Sequence, residues 1–513
     1  MNYFLIVLTL VIQLNSLTVY ATTNTAEDKK HSSTNLKAIK LAPSQQYPHV
    51  DNWWSRGYTG KKGVLGIIDE GVDPNHPALA GKKIILRNEA GSFYDQFVNG
   101  VRSPHGTGVA CIYASTDQKY KGIAYDVPTI ISGPSGEETP DIDSFLKTVS
   151  TINWMLERTD VKPTVINYSM GNGRIDCPGC PEWSELAKII DHIVNQKKIL
   201  WVNSAGNQGY IKPSNQAPFS TTLTVPAENY NALTVANMNT SIPKQNNSIK
   251  TPNRAEHIIR STSSRGPTPL GRRKPDLTAP GHDTTTCAPD PKVYHLNYDE
   301  EMHYQNGFRL MGGTSAAAPH VGAAILLLQD AGINNPVAIK ALLINSADTW
   351  TDSNNRDEVE DAHFQVMGSA WNRTYGWGYL NMQKAFEQRN DLVEGFLTKK
   401  NPEITFKAQV KVGQKITLVH ERRVGYFKNG AEWQLSPLSL ELIDADTNTV
   451  IAADKSPIDT VHQVSNCIKK SNEKECSAET KVLHALIKVK LQGTRIDGAH
   501  KEPFALLLSN RTA

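Results

Sequence analysis

Apolar and polar positions run along this chain in blocks, and the blocks change character near residue 390. Before that point short apolar runs alternate with stretches of helical spacing. GVLGIID (63–69) is an apolar strand ending in a carboxylate, and PTVINYSM (163–170), ILWVNSAGN (199–207) and ALTVANM (232–238) read as further strands. EWSELAKIIDHIVNQKK (182–198) has apolar residues at helical spacing and basic residues in its last turn. The apolar stretch from Ser315 predicts a helix to about Asp330. Pro319 would fall in its first turns, where a missing N–H does least harm. This alternation predicts an α/β fold, a mostly parallel sheet with helices on both faces.

Past about residue 390 the period shortens. EITFKAQVKVGQKITLVHE, LSLELIDADTNTVIAAD, HALIKVKLQGTRI and FALLLSN alternate with period two between turn residues. That is the pattern of an all-β, sandwich-like module. The expected organisation is a leader at 1–21, a polar segment at 22–47, an α/β domain at 48–388 and a β-sandwich-like domain at 389–513.

The leader rests on the run from Phe4 to Leu14 and on small residues at Val19 and Ala21, which fit secretory cleavage after Ala21. The run is shorter than the roughly 20 residues a membrane span needs, and no later stretch is long and apolar enough. An extracellular or periplasmic location follows as an expectation. A net charge of +3 over 513 residues, with no basic block carrying interleaved aromatics, argues against nucleic acid as a partner. The six cysteines suit an oxidising compartment. Cys467 and Cys476 flank a polar loop that a local bridge can close, and Cys177 and Cys180 (CPGC) read as a small structural disulfide. Asn239, Asn246, Asn372 and Asn510 open N-glycosylation triplets; Asn167 opens one too, but within an apolar strand.

Four stretches place a reactive side chain at a strand end or helix start inside a Gly/Ser-rich turn. In open parallel sheets ligands bind beyond the carboxyl ends of strands. Asp69 ends GVLGIID; alone it is equally a turn aspartate. Asp73 and His76, just after it, read as turn chemistry. His105 opens HGTGVACIYA and is either a base near a helix N-terminus or a capping histidine. Asn207 in NSAGNQG is an amide donor or a left-handed turn residue. Ser315 in GGTSAAAPHV is a nucleophile beside free N–H groups, or Thr314 or Ser315 is an N-cap. Together they supply nucleophile, base, orienting acid and amide donor, and Asp, His, Ser is one of the known chain orders for a serine triad.

Those stretches resemble the subtilisin-like serine proteases, the subtilase family, over about residues 48–388. IIDEGVDPNHPAL resembles the family's aspartate motif, HGTGVA its histidine motif, SAGN its oxyanion motif and GTSAAAPHV its serine motif. SSRGP, KPDLTAPG and YGWGYLNMQKA match the family at the expected places. The resemblance implies a secreted serine endopeptidase acting on proteins or peptides, with Asp69, His105 and Ser315 as triad and Asn207 as oxyanion donor. It further implies that Ser169, Met170 and Gly171 pair with extended substrate while Ser204, Ala205 and Gly206 form the opposite wall. A catalytically inactive, peptide-binding subtilase and a narrow processing or exopeptidase are the alternatives. No cofactor is required, and structural calcium, which many relatives hold, maps to no residue here.

The chain departs from the family in places. Gly108 stands where many relatives have a second histidine, and Cys111, usually glycine, reads as a buried inert thiol. Glu70 follows Asp69 where a hydroxyl residue is usual; strand alternation would point it away, whereas proximity to the dyad would raise the His105 pKa. The lead-in is shorter than the folded propeptide of many secreted subtilases, so the chain either folds without one or loses only a short segment.

Overall fold

The apolar run of β1 (Val64–Asp69) is buried at every position but the first, as expected for an interior strand of a parallel sheet. A computed structural model of the chain describes residues 50–87, 104–136, 142–171, 173–175, 182–209, 221–244, 247–250, 254, 257–290, 292, 304–349, 371–427, 430–466, 482–493 and 501–508. The leader, the lead-in, Cys177, Cys180, Cys467, Cys476, Asn246 and Asn510 lie outside the described residues.

β2 (Lys83–Leu86), β3 (Thr129–Pro134), β4 (Val165–Tyr168), β5 (Leu200–Ser204), β6 (Leu233–Asn239) and β7 (Leu277–Pro280) join β1 in one sheet, ordered β7-β6-β5-β4-β1-β3-β2. All these pairs are parallel, and a short strand, Ile258–Ile259, adds antiparallel to β6. Ile68 pairs with Tyr168, and Tyr168 with Asn203, so β1, β4 and β5 finish at one level.

Helices cover both faces, as the alternation predicts. α1 (His105–Ala114) lies on one face, and α2 (Ile142–Glu157) and α3 (Glu185–His192) on the other. α4 (Thr314–Asp330) and α5 (Pro336–Ser346) share the face of α1. Successive β1 residues serve opposite cores: Leu65 and Ile67 pack with α1, α4 and α5, and Ile68 with α2 and α3. α4 is apolar all round and buried along its whole length, so it is the central helix of its layer.

β8 (Thr284–Cys287) and β9 (Phe308–Met311) form an antiparallel pair beside α1. Cys287 is bonded to Cys111 of α1. This corrects the reading of Cys111 as a free thiol: its partner lies 176 residues away, where no local pattern shows it. Asn372 is buried and its side-chain oxygen accepts the N–H groups of Thr374 and Tyr375, so that triplet is closed to a glycan in the folded protein.

Beyond α6 (Met382–Gln388) come β10 (Leu392–Leu397), β11 (Glu403–Val410), β12 (Lys415–His420), β13 (Leu438–Asp444), β14 (Val450–Asp454), β15 (Val461–Ser465), β16 (Leu483–Leu491) and β17 (Glu502–Leu507). They form two four-stranded antiparallel sheets, β10-β17-β12-β15 and β11-β16-β13-β14, which share one apolar core. The first sheet also packs on α5: Val419, Val461, Ala505 and Leu507 belong to the core of the α/β part. Arg273 fastens this contact. Its guanidinium meets both carboxylate oxygens of Asp454 (2.6 and 3.0 Å) and one of Asp459 (2.8 Å), all three residues buried.

Candidate active site

β1 ends at Asp69, and α1 begins at His105 directly above that end. The approach is tight: a Cβ on Gly106 would lie 2.2 Å from the Gly71 carbonyl oxygen, so only glycine lets the helix come this close. His105 Nδ1 is 2.8 Å from Asp69 Oδ1. An ionised carboxylate only accepts, so Nδ1 carries the proton and Nε2 is the ring's other pole. Asp69 Oδ1 also accepts the Glu70 N–H at 2.8 Å, while Oδ2 is buried without a partner among the described residues.

Burial opposes a charge on His105, but the carboxylate and hydrogen bond of Asp69, joined by the charge of Glu70, outweigh it and push its pKa up to about 9. Arg309 works in the opposite direction. The charge of Glu70 is therefore near enough to act on the pair. The strand stops at Asp69, so strand alternation does not extend to the next residue.

Ser315 is the second residue of α4, and it lies beside the end of β4, one strand over from Asp69. Its Oγ donates to the Ser169 carbonyl at 2.9 Å, and Ser169 Oγ returns a bond to the Ser315 carbonyl at 3.0 Å. Pro319 explains the return bond. It is the sixth helical residue rather than a first-turn one, and it lacks the N–H that would have served the Ser315 carbonyl. The Ser169 hydroxyl takes that place.

Neither Thr314 nor Ser315 caps the helix. Gly313 is the N-cap, with φ of 91°, and offers no side chain. The Thr314 N–H and hydroxyl both donate to Asn207 Oδ1, at 2.9 and 3.0 Å, while the N–H groups of Ala316 and Ala317 turn to the Gly313 carbonyl. The Ser315 N–H, also in the first turn, has no partner among the described residues. Asn207 is thus held by its oxygen; its Nδ2 has no partner among the described residues, and its side chain is exposed. The left-handed turn conformation falls on Gly206, with φ of 106°, and not on Asn207.

The other predicted site residues flank this arrangement. Ser169, Met170, Ser204, Ala205 and Gly206 are buried, and Gly171 is half-buried. Ser204 Oγ donates to the Met170 carbonyl at 3.4 Å, tying the two segments together. The Ala205 N–H and carbonyl are both taken, by Val235 and Thr224, so neither is left for pairing with a further strand. Asp73 and His76 are turn residues, as expected: they accept from the N–H groups of Asn75 and Ala78.

A family model described as the subtilase family matches residues 60–378. The chain belongs to the subtilase family. Serine protease AprX of Bacillus subtilis (strain 168) is 26% identical over 300 residues, covering 57% of this chain and 63% of AprX. The chain thus spans less than two thirds of that relative's length. Subtilisin E of the same organism is 25% identical over 340 residues, covering 64% of this chain and 67% of its own. The solved structure of the prenylagaramide maturation protease PagA matches with a TM-score of 0.45 at 22% identity, covering 66% of this subtilase and 98% of PagA. Among the described residues no helix is long and apolar enough to cross a membrane.

Sequence reasoning passed over Thr314 as the anchor of Asn207, Cys287 as the partner of Cys111, and Arg309. It also left open what surrounds Gly108. A Cβ there would meet Met311, Thr286 and Arg309 at 3.0, 3.1 and 3.5 Å, so a histidine does not fit without moving β9.

Proposed function

We propose that this subtilase is a secreted serine endopeptidase whose triad is Asp69, His105 and Ser315. The observation that carries the reading is the Asp69–His105 hydrogen bond at the end of β1, with Ser315 held one strand away at the start of α4. Ser315 Oγ turns from the Ser169 carbonyl toward His105 Nε2, gives up its proton there and attacks the peptide carbonyl carbon. His105 then passes that proton to the leaving amine, and water repeats the sequence on the acyl-enzyme. Asp69 holds the imidazole orientation and stabilises the imidazolium. Asn207 Nδ2 and the Ser315 N–H receive the oxyanion. Every group in this reaction comes from the chain, so it needs no cofactor.

Secretion is supported by the leader pattern at 1–21 and by the Cys111–Cys287 bond, which persists in oxidising compartments. Ser169–Gly171 and Ser204–Gly206 are the proposed walls that line extended substrate. In the test, the purified wild-type chain and its Ser315→Ala variant meet a quenched peptide mixture. The wild type hydrolyses it, and the variant loses about 10⁶ in turnover, the magnitude known for subtilisin. A folded wild type without hydrolysis, or a variant that retains it, contradicts the proposal.

A further inference from the structure

A polar cavity opens close to His105. It measures about 330 Å³ and lies between the β8–β9 pair and the chain that leaves α1 at Asp117–Tyr120. Arg309 and Thr285 line it, and both are more than nine-tenths buried. The Thr285 hydroxyl has no hydrogen-bond partner among the described residues. A buried hydroxyl left so costs about 1–3 kcal/mol. Lys119 adds a second positive charge at the rim. Among the described residues Asp117 is the one acid in the lining, and its Oδ1 already accepts the N–H groups of Lys119 and Tyr120, at 2.9 and 2.7 Å. The rings of Tyr120 and Phe308, 4.7 Å apart, supply an apolar wall.

The cavity adjoins the candidate site. A Cβ on Gly108 would lie 3.5 Å from an Arg309 Nη, and Gly108 stands one helical turn beyond His105 on the same face of α1. Arg309 is also close enough to act on the charge of His105. The Cys111–Cys287 bond ties β8 to α1, so the two walls of the cavity are held together.

We infer that this cavity is a subsite for a carboxylate of the bound peptide, with Arg309 as its main recognition group, Thr285 as a neutral donor and Lys119 as a rim charge. The planar guanidinium suits a carboxylate by paired hydrogen bonds, and the aromatic wall takes the aliphatic stem of an acidic side chain. The inference rests on the protease reading for the identity of the ligand as a peptide. It makes Arg309 a specificity residue with no role in the proton transfers.

The test uses binding, so that it does not depend on turnover. Full-length Ser315→Ala protein meets a series of labelled heptapeptides in which glutamate replaces glutamine one position at a time. Each peptide is made with a free and an amidated carboxyl end, and anisotropy reads its affinity. One glutamate position binds about tenfold tighter than its glutamine partner. If the chain end is the occupant, the free acid gains that factor over the amide instead. The preference falls to near unity with Arg309→Gln and by about two- to threefold with Lys119→Gln, an exposed side chain the fold does not need. Equal binding throughout, no binding by any peptide, or a preference that survives Arg309→Gln in a protein of unchanged Tm overturns the subsite. If Arg309→Gln does not fold, an unchanged preference in Lys119→Gln and Thr285→Val overturns it. Peptide hydrolysis by the wild type is read separately, and its absence overturns the protease reading while leaving the binding result to stand.

Discussion

The Asp69–His105 pair, half-buried at the imidazole, and the buried Arg273–Asp454–Asp459 cluster both join opposite charges, and they are finished differently. In the cluster the Arg273 Nε and both Nη atoms, and all four oxygens of the two aspartates, have partners. At the β1 end Asp69 Oδ2, Asn207 Nδ2 and the Ser315 N–H have none among the described residues. A fully matched cluster has nothing left to offer a ligand; it links the β-sandwich to the segment before β7. The incompletely matched groups cost stability, and in the proposed mechanism they are the groups that meet developing charge.

Removing a member from each region sharpens the difference, because one loss appears as stability and the other chiefly as rate. Asp454→Asn leaves Arg273 buried with half its charge partner gone and is expected to cost about 3–5 kcal/mol in denaturant unfolding. Replacing Arg273 by Met with Asp454 and Asp459 by Leu recovers most of that loss, since apolar packing substitutes for a buried pair. An Asp454→Asn protein with an unchanged midpoint would show that the cluster does not hold the two parts together.

Asn207→Ala is read chiefly in rate. Its Oδ1 accepts from the N–H and hydroxyl of buried Thr314, so a stability loss of about 1–3 kcal/mol accompanies the substitution. Turnover falls roughly 10²–10³-fold, the loss measured for the corresponding donor in subtilisin. Steady-state kinetics beside a thermal melt separates the two outcomes, and a variant that loses stability but keeps its turnover reverses the assignment.

The smallest expected effect is on pH dependence. His105 must be neutral to accept a proton, and its pKa stands at about 9, so activity is lost as pH falls through that value. Glu70→Gln removes one influence that raises the pKa and shifts the acid limb of kcat/KM to lower pH, so relative activity at pH 7 rises. An acid limb at or below about 6.5 in the wild type contradicts the electrostatic account of the pair.

The strand ends were legible in the sequence because apolar runs stop at reactive residues, and a parallel sheet brings those ends to one edge. Asp69 was located that way; His105 and Ser315 were located at the starts of apolar helices, and Asn207 in the Gly-rich turn after β5. The strands after 390 were legible from their period-two alternation. What escaped depends on contacts between distant segments. Cys111 finds Cys287 across 176 residues, and Ser169 repairs the carbonyl that Pro319 leaves open. Thr314 turns from capping to holding Asn207, and Arg273 reaches into the sandwich. Strand alternation could not settle the influence of Glu70, because the strand ends at Asp69.

The account turns on Ser315 being an activated nucleophile among incompletely matched groups. A fluorophosphonate probe followed by peptide mapping tests that most directly. The account predicts one modified residue, Ser315, in the folded wild type, no modification in Ser315→Ala, and labelling that quickens as pH rises toward 9. A folded wild type that takes no label, or a Ser315→Ala protein that labels as fast, would contradict it.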